Sequence, residues 1–142
     1  MAFANPYQEL QYQQYQQQQV FTAPPDKLLL MLYDGAIRFC DKAKKALAGQ
    51  SIEESHHYIT KAEDIVIELM TSLRMDFEFS DHLYSLYDYL YRQLVEANMQ
   101  KDLTLLDEVV ELLTELRQTW AEVAAKARET RKLVVGGGGF EG

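Results

Sequence analysis

Apolar residues recur at steps of three and four positions in four successive segments between residues 24 and 135. This spacing is typical of one face of an α-helix. In the first segment the stripe comprises Leu28, Leu29, Leu32, Tyr33, Ala36, Ile37, Cys40, Ala43 and Leu47. In the second it comprises Ile52, His56, Ile59, Glu63, Val66, Met70 and Leu73, with Ala62 and Leu69 flanking. In the third it comprises Leu83, Leu86, Tyr87, Leu90, Tyr91, Leu94 and Ala97. In the fourth it comprises Leu106, Val109, Leu113, Leu116, Trp120, Val123 and Ala127.

Start and stop signals separate the four predicted helices. Proline suits the first helical position, so helix 1 is expected to begin near Pro25, and Gly49 is a suitable stop. Residues 51–54 (Ser-Ile-Glu-Glu) fit a capping box at the start of helix 2. Ser80 is the expected N-cap of helix 3, and helix 4 is expected to start near Asp102. The short connections, about two to six residues each, predict an all-α, antiparallel up-down four-helix bundle over residues 24–135.

The two ends of the chain have different compositions from the bundle. Eight of the twelve residues from Gln8 to Gln19 are glutamine, and such a segment cannot order itself by burying apolar surface. Large side chains in and beside this segment, Tyr7, Tyr15 and Val20, could nevertheless dock on a neighbouring surface. Residues 1–23 are therefore predicted to form a mobile strap that is either free or docked. The Gly-rich residues 136–142 are expected to be a flexible tail.

Charge and composition limit the range of partners. The formal net charge is −8 with a pI of about 4.8, which argues against nucleic acid and anionic membrane surfaces as partners. No apolar run is long enough to span a membrane, and the first residues lack a signal-peptide pattern. The single cysteine, Cys40, excludes an internal disulfide and is expected to be a buried hydrophobic residue. A cytoplasmic location is therefore predicted.

Catalytic and metal chemistry have little support in the sequence. Helix 2 holds two overlapping Glu-x-x-His patterns, Glu53 with His56 and Glu54 with His57. Ferritin-like metal sites need this motif on two helices, and His82 has no glutamate three positions before it. No nucleophile with a base beside it and no phosphate-binding loop is present. No enzymatic activity, cofactor or metal is therefore expected, and a ferritin-like metal bundle is retained only as an alternative.

Apolar surface exceeds what four packed helices need. The start of helix 1, from Leu28 to Tyr33, is apolar almost all round, which indicates either two packed faces or one face reserved for a partner. Helix 3 carries four tyrosines, at positions 84, 87, 89 and 91, which cannot all face one core. Tyrosine is well suited to interfaces. Partner binding is the favoured interpretation, and self-association through these tyrosines is the alternative.

Several motifs resemble the flagellar secretion chaperones that bind flagellin. The carriers of the resemblance are Val20-Phe-Thr22-Ala23 followed by Pro25 and Leu28, Met31-Leu-Tyr-Asp-Gly-Ala-Ile37, Asn5-Pro6-Tyr7, Tyr15-Gln16, Tyr87-Asp-Tyr-Leu-Tyr-Arg92, Leu94-Val-Glu-Ala-Asn98 with Asp102, and Leu116-Arg117 with Trp120. Together they cover about residues 5–125. Three features depart from the family pattern: Pro24 replaces a usual Ser or Thr cap, the strap is longer and richer in glutamine, and the Gly-rich end has no counterpart.

The resemblance implies a cytoplasmic bundle that holds the C-terminal segment of unassembled flagellin, prevents its premature polymerisation and keeps it competent for type III export. Export-apparatus components or a flagellin regulator are further partners to consider. In the free chaperone the strap is expected to cover part of the flagellin groove. The expected groove or groove-supporting residues are Leu29, Leu32, Tyr33, Ile37, Tyr87 and Tyr91. The expected strap anchors are Tyr7, Tyr15 and Val20.

Overall fold

A computed structural model describes residues 25–75 and 80–137 of the chain. Four α-helices and no strand occur in these two ranges. They are α1 (Pro25–Ala48), α2 (Ile52–Thr71), α3 (Ser80–Gln100) and α4 (Leu103–Gly137). The predicted all-α class and all four helices are thereby confirmed. The strap anchors Tyr7, Tyr15 and Val20 lie outside the described residues, and the proposed division at residues 23 and 135 stays a prediction.

Contacts between helices fix their directions. Each of three helix pairs is joined at two levels, and residue numbers rise along one helix as they fall along its neighbour. The contacts are Gly35–Ile65 and Phe39–Tyr58 for α1 with α2, His56–Asn98 and Arg74–Ser80 for α2 and its extension with α3, and Asp34–Arg117 and Lys44–Asp107 for α1 with α4. These three pairs therefore run antiparallel. The helices pack in the cyclic order α1, α2, α3, α4, so the connectivity is up-down-up-down.

The C-terminus of α1 is closed by a six-residue hydrogen-bonded loop. The N–H of Ser51 donates to the carbonyl of Ala46 at 2.8 Å, and the N–H of Gln50 donates to that of Leu47 at 2.9 Å, the pattern of a Schellman motif. Gln50 takes the left-handed conformation with φ of 61°. Gly49, the expected stop, directly follows the helix but does not have a positive φ. The conformation that favours glycine is thus adopted by its non-glycine neighbour.

The N-termini of the helices use the predicted polar residues in different ways. The Ser51 hydroxyl accepts the N–H of Glu54 at 3.4 Å, which confirms half of the capping box. The other half is absent because the Ser51 N–H is already bonded to α1. Asp102 caps α4 by accepting the Thr104 N–H at 2.9 Å. Ser80 instead donates its hydroxyl to the carbonyl of Arg74 at 2.5 Å, so it ties α3 to the segment that follows α2.

The core is built from all four helices. Its members come from α1 (Tyr33, Ala36, Cys40, Ala43), α2 (Ile59, Ala62, Val66, Leu69), α3 (Leu83, Tyr87, Leu90, Leu94, Ala97) and α4 (Leu106, Val109, Leu113). The predicted stripes of helices 1 and 3 are confirmed. The acidic residues Glu108, Glu111 and Glu115 of α4 are all exposed.

The predicted stripe of helix 2 is wrong in part. Ile52 is 55% exposed and His56 is exposed, whereas Ser55 and Ala62 are buried. The buried line runs through the small residues because α1 lies close against this face of α2, as the contact of Ile65 with Gly35 illustrates. Helix 2 is therefore turned about its axis relative to the sequence prediction.

The last helix extends beyond its neighbours. Trp120 contacts Tyr33, and Pro25 lies only eight residues before Tyr33 on an antiparallel helix. Because α4 continues to Gly137, roughly its last nine residues, or about 14 Å, project past the start of α1. Val123 and Ala127, both expected on the core stripe, are exposed although they lie before this projection, and Ala124 is the last buried residue described on this helix.

Candidate partner-binding surface

An aromatic network of Tyr33, Tyr87 and Trp120 joins three helices at the end of the bundle where α1 begins. The hydroxyl oxygens of Tyr33 and Tyr87 lie 2.6 Å apart, and the indole N–H of Trp120 donates to the Tyr33 oxygen at 3.1 Å. The two tyrosine rings are tilted by 52° with their centroids 6.4 Å apart. Since Tyr33 and Tyr87 are 0% and 1% exposed, this contact pairs two hydroxyls that are shielded from water.

Burial keeps this network neutral. Desolvation raises the pKa of Tyr33 to about 12, and its hydrogen bonds with Tyr87 and Trp120 only partly oppose that rise. The Tyr33 oxygen accepts the Trp120 N–H and is hydrogen-bonded to the Tyr87 hydroxyl, where either oxygen could donate. The arrangement therefore fixes the relative positions of α1, α3 and α4, and it provides no acid or base at neutral pH.

Two of the six expected groove residues therefore lie beneath the surface. Tyr33 and Tyr87 are core residues and could support a groove only from below. Leu29, Leu32 and Ile37 are half-buried on α1 and pack against the core from its margin.

The three half-buried residues of α1 do not all share one face. Leu29 and Leu32 are neighbours on one side of the helix, three positions apart. Ile37 lies five positions beyond Leu32, which places it about 140° farther round the helix, on the side facing α4. A single narrow groove along α1 cannot contain all three side chains. A partner that contacts them all must cover α1 broadly.

The tyrosines of α3 divide as expected between core and surface. Tyr87 is buried, Tyr91 is half-buried, and Tyr84 and Tyr89 are 36% and 47% exposed. This confirms that some of them face outward. Further exposed apolar side chains occur on α1 and α4, where Met31 and Val123 are 59% and 49% exposed. This end of the bundle thus presents apolar surface on three helices.

Two ion pairs attach α1 to α4. Arg117 donates to both carboxylate oxygens of Asp34, at 2.5 and 3.2 Å. Lys44 lies 2.7 Å from Asp107 nearly three turns farther along. All four side chains are substantially solvent-exposed, so each pair contributes about 0.2–1 kcal/mol. Their main effect is to define the alignment of the two helices.

The residues of the alternative metal site do not converge. His56 is exposed and not half-buried on the apolar stripe, and its Nδ1 lies 2.9 Å from the amide nitrogen of Asn98. His57 is exposed and packs edge-on against Tyr58. No group of three or more potential metal ligands occurs within residues 25–75 and 80–137.

Cys40 lies in the core. Burial raises its pKa to about 12, and the nearby carboxylate of Asp41 adds to the rise. The thiol therefore stays protonated at neutral pH and behaves as a small hydrophobic residue.

The aromatic network was not predicted, although a signal was present. Tyr33, Tyr87 and Trp120 all lie on predicted core stripes, and a buried tyrosine or tryptophan requires a partner for its polar tip. Three such tips on three facing helices could have been paired with one another. The stack of Phe39 on Tyr58, with ring centroids 6.2 Å apart, had no comparable signal.

These features define a class: a helical bundle held together by a buried aromatic network and by ion pairs between helices, with apolar surface left at one end. None of the helices within the described ranges is long and apolar enough to cross a membrane.

Comparison with known proteins identifies the family within this class. The family model "Flagellar protein FliS" matches residues 7–127. The flagellar secretion chaperone FliS of Bacillus subtilis (strain 168) is 37% identical over 131 residues, which cover 92% of this chain and 95% of that protein. FliSB of Pseudomonas aeruginosa, also named a flagellar secretion chaperone, is 36% identical, covering 78% of this chain and 90% of that protein. FliS of Campylobacter jejuni is 33% identical, covering 80% and 91%. The chain belongs to the FliS family of flagellar secretion chaperones, a family of chaperones and not of enzymes.

Proposed function

We propose that this protein binds the C-terminal segment of unassembled flagellin in the cytoplasm. Binding would prevent premature polymerisation of flagellin and keep it competent for flagellar type III secretion. The observation that carries the proposal is family membership over residues 7–127, among relatives named flagellar secretion chaperones. Flagellin is the client that the sequence resemblance implies.

The surface around the aromatic network supports this client. A disordered segment that folds on binding must gain enough apolar contact to offset its ordering entropy, so it needs an extended surface and not a small pocket. Half-buried Leu29, Leu32, Ile37 and Tyr91 surround the network on two helices, and Met31 adds exposed apolar area. Because Leu32 and Ile37 lie on different sides of α1, a wrapping segment fits this distribution better than a single straight helix does.

The rigid network explains how such a surface could be presented. The hydrogen bonds of Tyr33 with Tyr87 and Trp120 hold α1, α3 and α4 in register beneath it. A preorganised surface loses less conformational entropy when a client binds. We therefore assign Tyr33 and Tyr87 a supporting role, with Leu29, Leu32, Ile37 and Tyr91 as candidate contact residues.

The N-terminal segment is proposed to regulate access to this surface. It joins the bundle at Pro25, close to the aromatic network. If Tyr7, Tyr15 and Val20 occupy the client surface part of the time, the apparent affinity for flagellin falls by the fraction of molecules left closed. Export-apparatus components or a flagellin regulator could use the complex afterwards. The net charge of −8 disfavours nucleic acid and direct membrane contact.

A pair of matched variants tests the contact surface. Leu32→Glu places a charge at the half-buried margin of α1 and is expected to weaken binding of a flagellin C-terminal peptide at least about tenfold. Ile52→Glu makes the same kind of change at an exposed apolar side chain on the opposite end of the bundle. It is expected to leave the affinity within about twofold.

Calorimetric titration gives the affinities, and thermal unfolding of each variant confirms that the bundle is intact. Equal losses for the two variants would show that the affinity responds to charge or stability and not to this surface. An unaffected Leu32→Glu variant with an intact fold would remove the start of α1 from the proposed site.

A further inference from the structure

The outer face that α1 and α2 share is basic, in contrast to the rest of the protein. Between residues 35 and 48, α1 carries four basic side chains and a single acidic one, while the whole chain has a net charge of −8. We define the basic face as the exposed residues around the Phe39–Tyr58 stack: Arg38, Lys42 and Lys45 of α1 with His57 and Lys61 of α2.

The three cations of α1 form one line along the helix. Arg38, Lys42 and Lys45 are spaced i, i+4 and i+7, so they project from the same side over about 10 Å. Asp34 and Asp41 flank this line, four positions before Arg38 and Lys45, but Asp34 binds Arg117 of α4 and Asp41 lies 3.9 Å from Lys44. Among the described residues, no ion pair joins a cation of the line to an acid of its own helix.

Two of these cations are positioned by aromatic rings. The guanidinium carbon of Arg38 lies 5.5 Å from the centroid of Phe39, and Nζ of Lys42 lies 5.6 Å from that of Tyr58. The two rings stack at an angle of 22°. Cation–π contacts restrict long side chains that otherwise move freely. Part of the ordering entropy that a charged partner would impose is therefore already lost in the free protein.

The acids of α2 lie at the margins of the basic face. Lys42 of α1 lies beside Tyr58 of α2, and the two helices are antiparallel. Glu54, four positions before Tyr58, is therefore at the height of residue 46 of α1, beyond Lys45. Asp64 lies about one turn past Lys61, toward the opposite end of the basic face. Neither carboxylate lies within 4.0 Å of a cation of the basic face as an ion pair among the described residues. The centre of the basic face is thus positive between two acidic ends.

The arrangement favours an acidic protein helix over other occupants. Bases of single-stranded nucleic acid bind by stacking on open aromatic faces, but here Arg38 and Lys42 lie against the rings, and the overall charge repels phosphates. The N-terminal segment of this chain is a poor complement, because Glu9 is the only acidic residue before Asp26. A helix with carboxylates at spacings of three and four residues matches the line of cations directly.

We propose that the basic face binds an acidic amphipathic helix of a protein partner. Its carboxylates would pair with Arg38, Lys42 and Lys45, and an apolar neighbour would contact the partly exposed Phe39 and Tyr58. This surface differs from the proposed client surface, so the inference stands or fails separately from flagellin binding. A chaperone with two such surfaces could hold its client while a second protein recognises the outside of the bundle.

The test is an NMR titration of the full ¹⁵N-labelled chain with a synthetic peptide. The peptide is blocked at both ends, is about 18 residues long, which gives roughly 27 Å of helix, and carries glutamates along one face beside leucines. Saturable amide shift changes are expected around Arg38, Phe39, Lys42, Tyr58 and Lys61. The affinity should fall as salt rises, since the contacts are exposed charge pairs.

Matched charge reversals separate the basic face from net charge. Lys42→Glu/Lys45→Glu is expected to weaken binding at least tenfold and to bind the lysine-for-glutamate version of the peptide instead. Lys27→Glu/Lys126→Glu changes the net charge equally at exposed sites away from the basic face and should stay within twofold of the unmodified protein.

Several results would overturn the proposal. Absence of shift changes, changes centred on another surface, or an equal loss in both double variants would each contradict it. Stronger displacement of the peptide by a ten-nucleotide oligouridylate than by excess peptide would assign the basic face to nucleic acid. Peptide-independent self-association that Lys42→Glu/Lys45→Glu abolishes would assign it to a second copy of this chain.

Discussion

Removal of one hydroxyl from the aromatic network is expected to destabilise the whole bundle. In Tyr33→Phe the ring and its packing remain, but the oxygen that accepts the Trp120 N–H and bonds to the Tyr87 hydroxyl is lost. Tyr87 is 1% exposed, so water does not replace the hydrogen bond that its hydroxyl loses to Tyr33.

The magnitude follows from these two contacts. A hydrogen bond within a folded protein contributes about 1 kcal/mol net. Loss of the two hydrogen bonds at the Tyr33 oxygen, one with Trp120 and one with Tyr87, predicts a decrease of about 2 kcal/mol in the free energy of unfolding. For a domain of this size the decrease corresponds to a Tm lower by roughly 6–10 °C.

Urea denaturation followed by far-UV circular dichroism measures the effect, and the fluorescence of Trp120, the only tryptophan in the chain, follows the network itself. Tyr89→Phe removes a hydroxyl from a side chain that is 47% exposed and should change stability by less than about 0.5 kcal/mol. In the double variant Tyr33→Phe/Tyr87→Phe the hydrogen bond between the two tyrosines is lost only once, so the cost should be about 1 kcal/mol below the sum of the single variants. A Tyr33→Phe variant as stable as Tyr89→Phe would refute the structural role of the network.

Three further predictions concern stability. Burial raises the pKa of both Tyr33 and Cys40 to about 12. The unfolded chain therefore releases these two protons at lower pH than the folded protein does, so their contribution to stability is complete below about pH 9 and should be lost between pH 9 and 12. The free energy of unfolding should fall by about 1.4 kcal/mol per pH unit for each group between its unfolded and folded pKa. Denaturation at stepped pH checks this, and a Tyr33→Phe variant with an equally steep decline would contradict the assignment. Gln50→Gly should stabilise the protein by roughly 0.5–1 kcal/mol, because Gln50 has a φ of 61° that glycine adopts without steric cost. Gln50→Ala should give little change. Equal Tm values for the two variants would count against backbone strain at residue 50. Ser51→Ala should cost about 1 kcal/mol through loss of the N-cap, and an unchanged urea midpoint would show that the long 3.4 Å bond contributes nothing.

The sequence predicted most of the fold because periodicity and cap chemistry point the same way. The stripes through Leu83, Leu90 and Leu94 on α3 and Leu106, Val109 and Leu113 on α4 are all buried. Each of these stripes is a run of large residues at steps of three and four, and no competing stripe exists. Short connections then leave little choice of topology.

The orientation of α2 could not be obtained in the same way. Ile59 and Val66 belong to both the predicted and the observed stripe, and the choice between the two depends on Ser55 and Ala62 against Ile52 and His56. Hydrophobicity favours Ile52, but close approach of α1 favours the small residues. Packing distance between helices is a tertiary property that no single helix encodes in its own pattern.

The candidate site was predicted only as a region. Periodicity placed Leu29, Tyr33 and Tyr87 on inward faces, but it could not separate a fully buried tyrosine from a half-buried leucine at the margin. That difference depends on how far the neighbouring helices extend. The basic face was likewise hidden in the sequence, because its cations come from two helices and its aromatic rings meet only after folding.

The proposed binding of the C-terminal segment of flagellin can be measured by isothermal titration. The full chain is titrated at several temperatures with a peptide of about the last 40 residues of flagellin. We expect saturable one-to-one binding with a strongly negative heat-capacity change, because the peptide would fold on apolar surface. The same titration after deletion of residues 1–20 should give tighter binding if the strap competes with the client and weaker binding if the strap clamps it. No binding by either form, with the bundle folded, would contradict the proposed function.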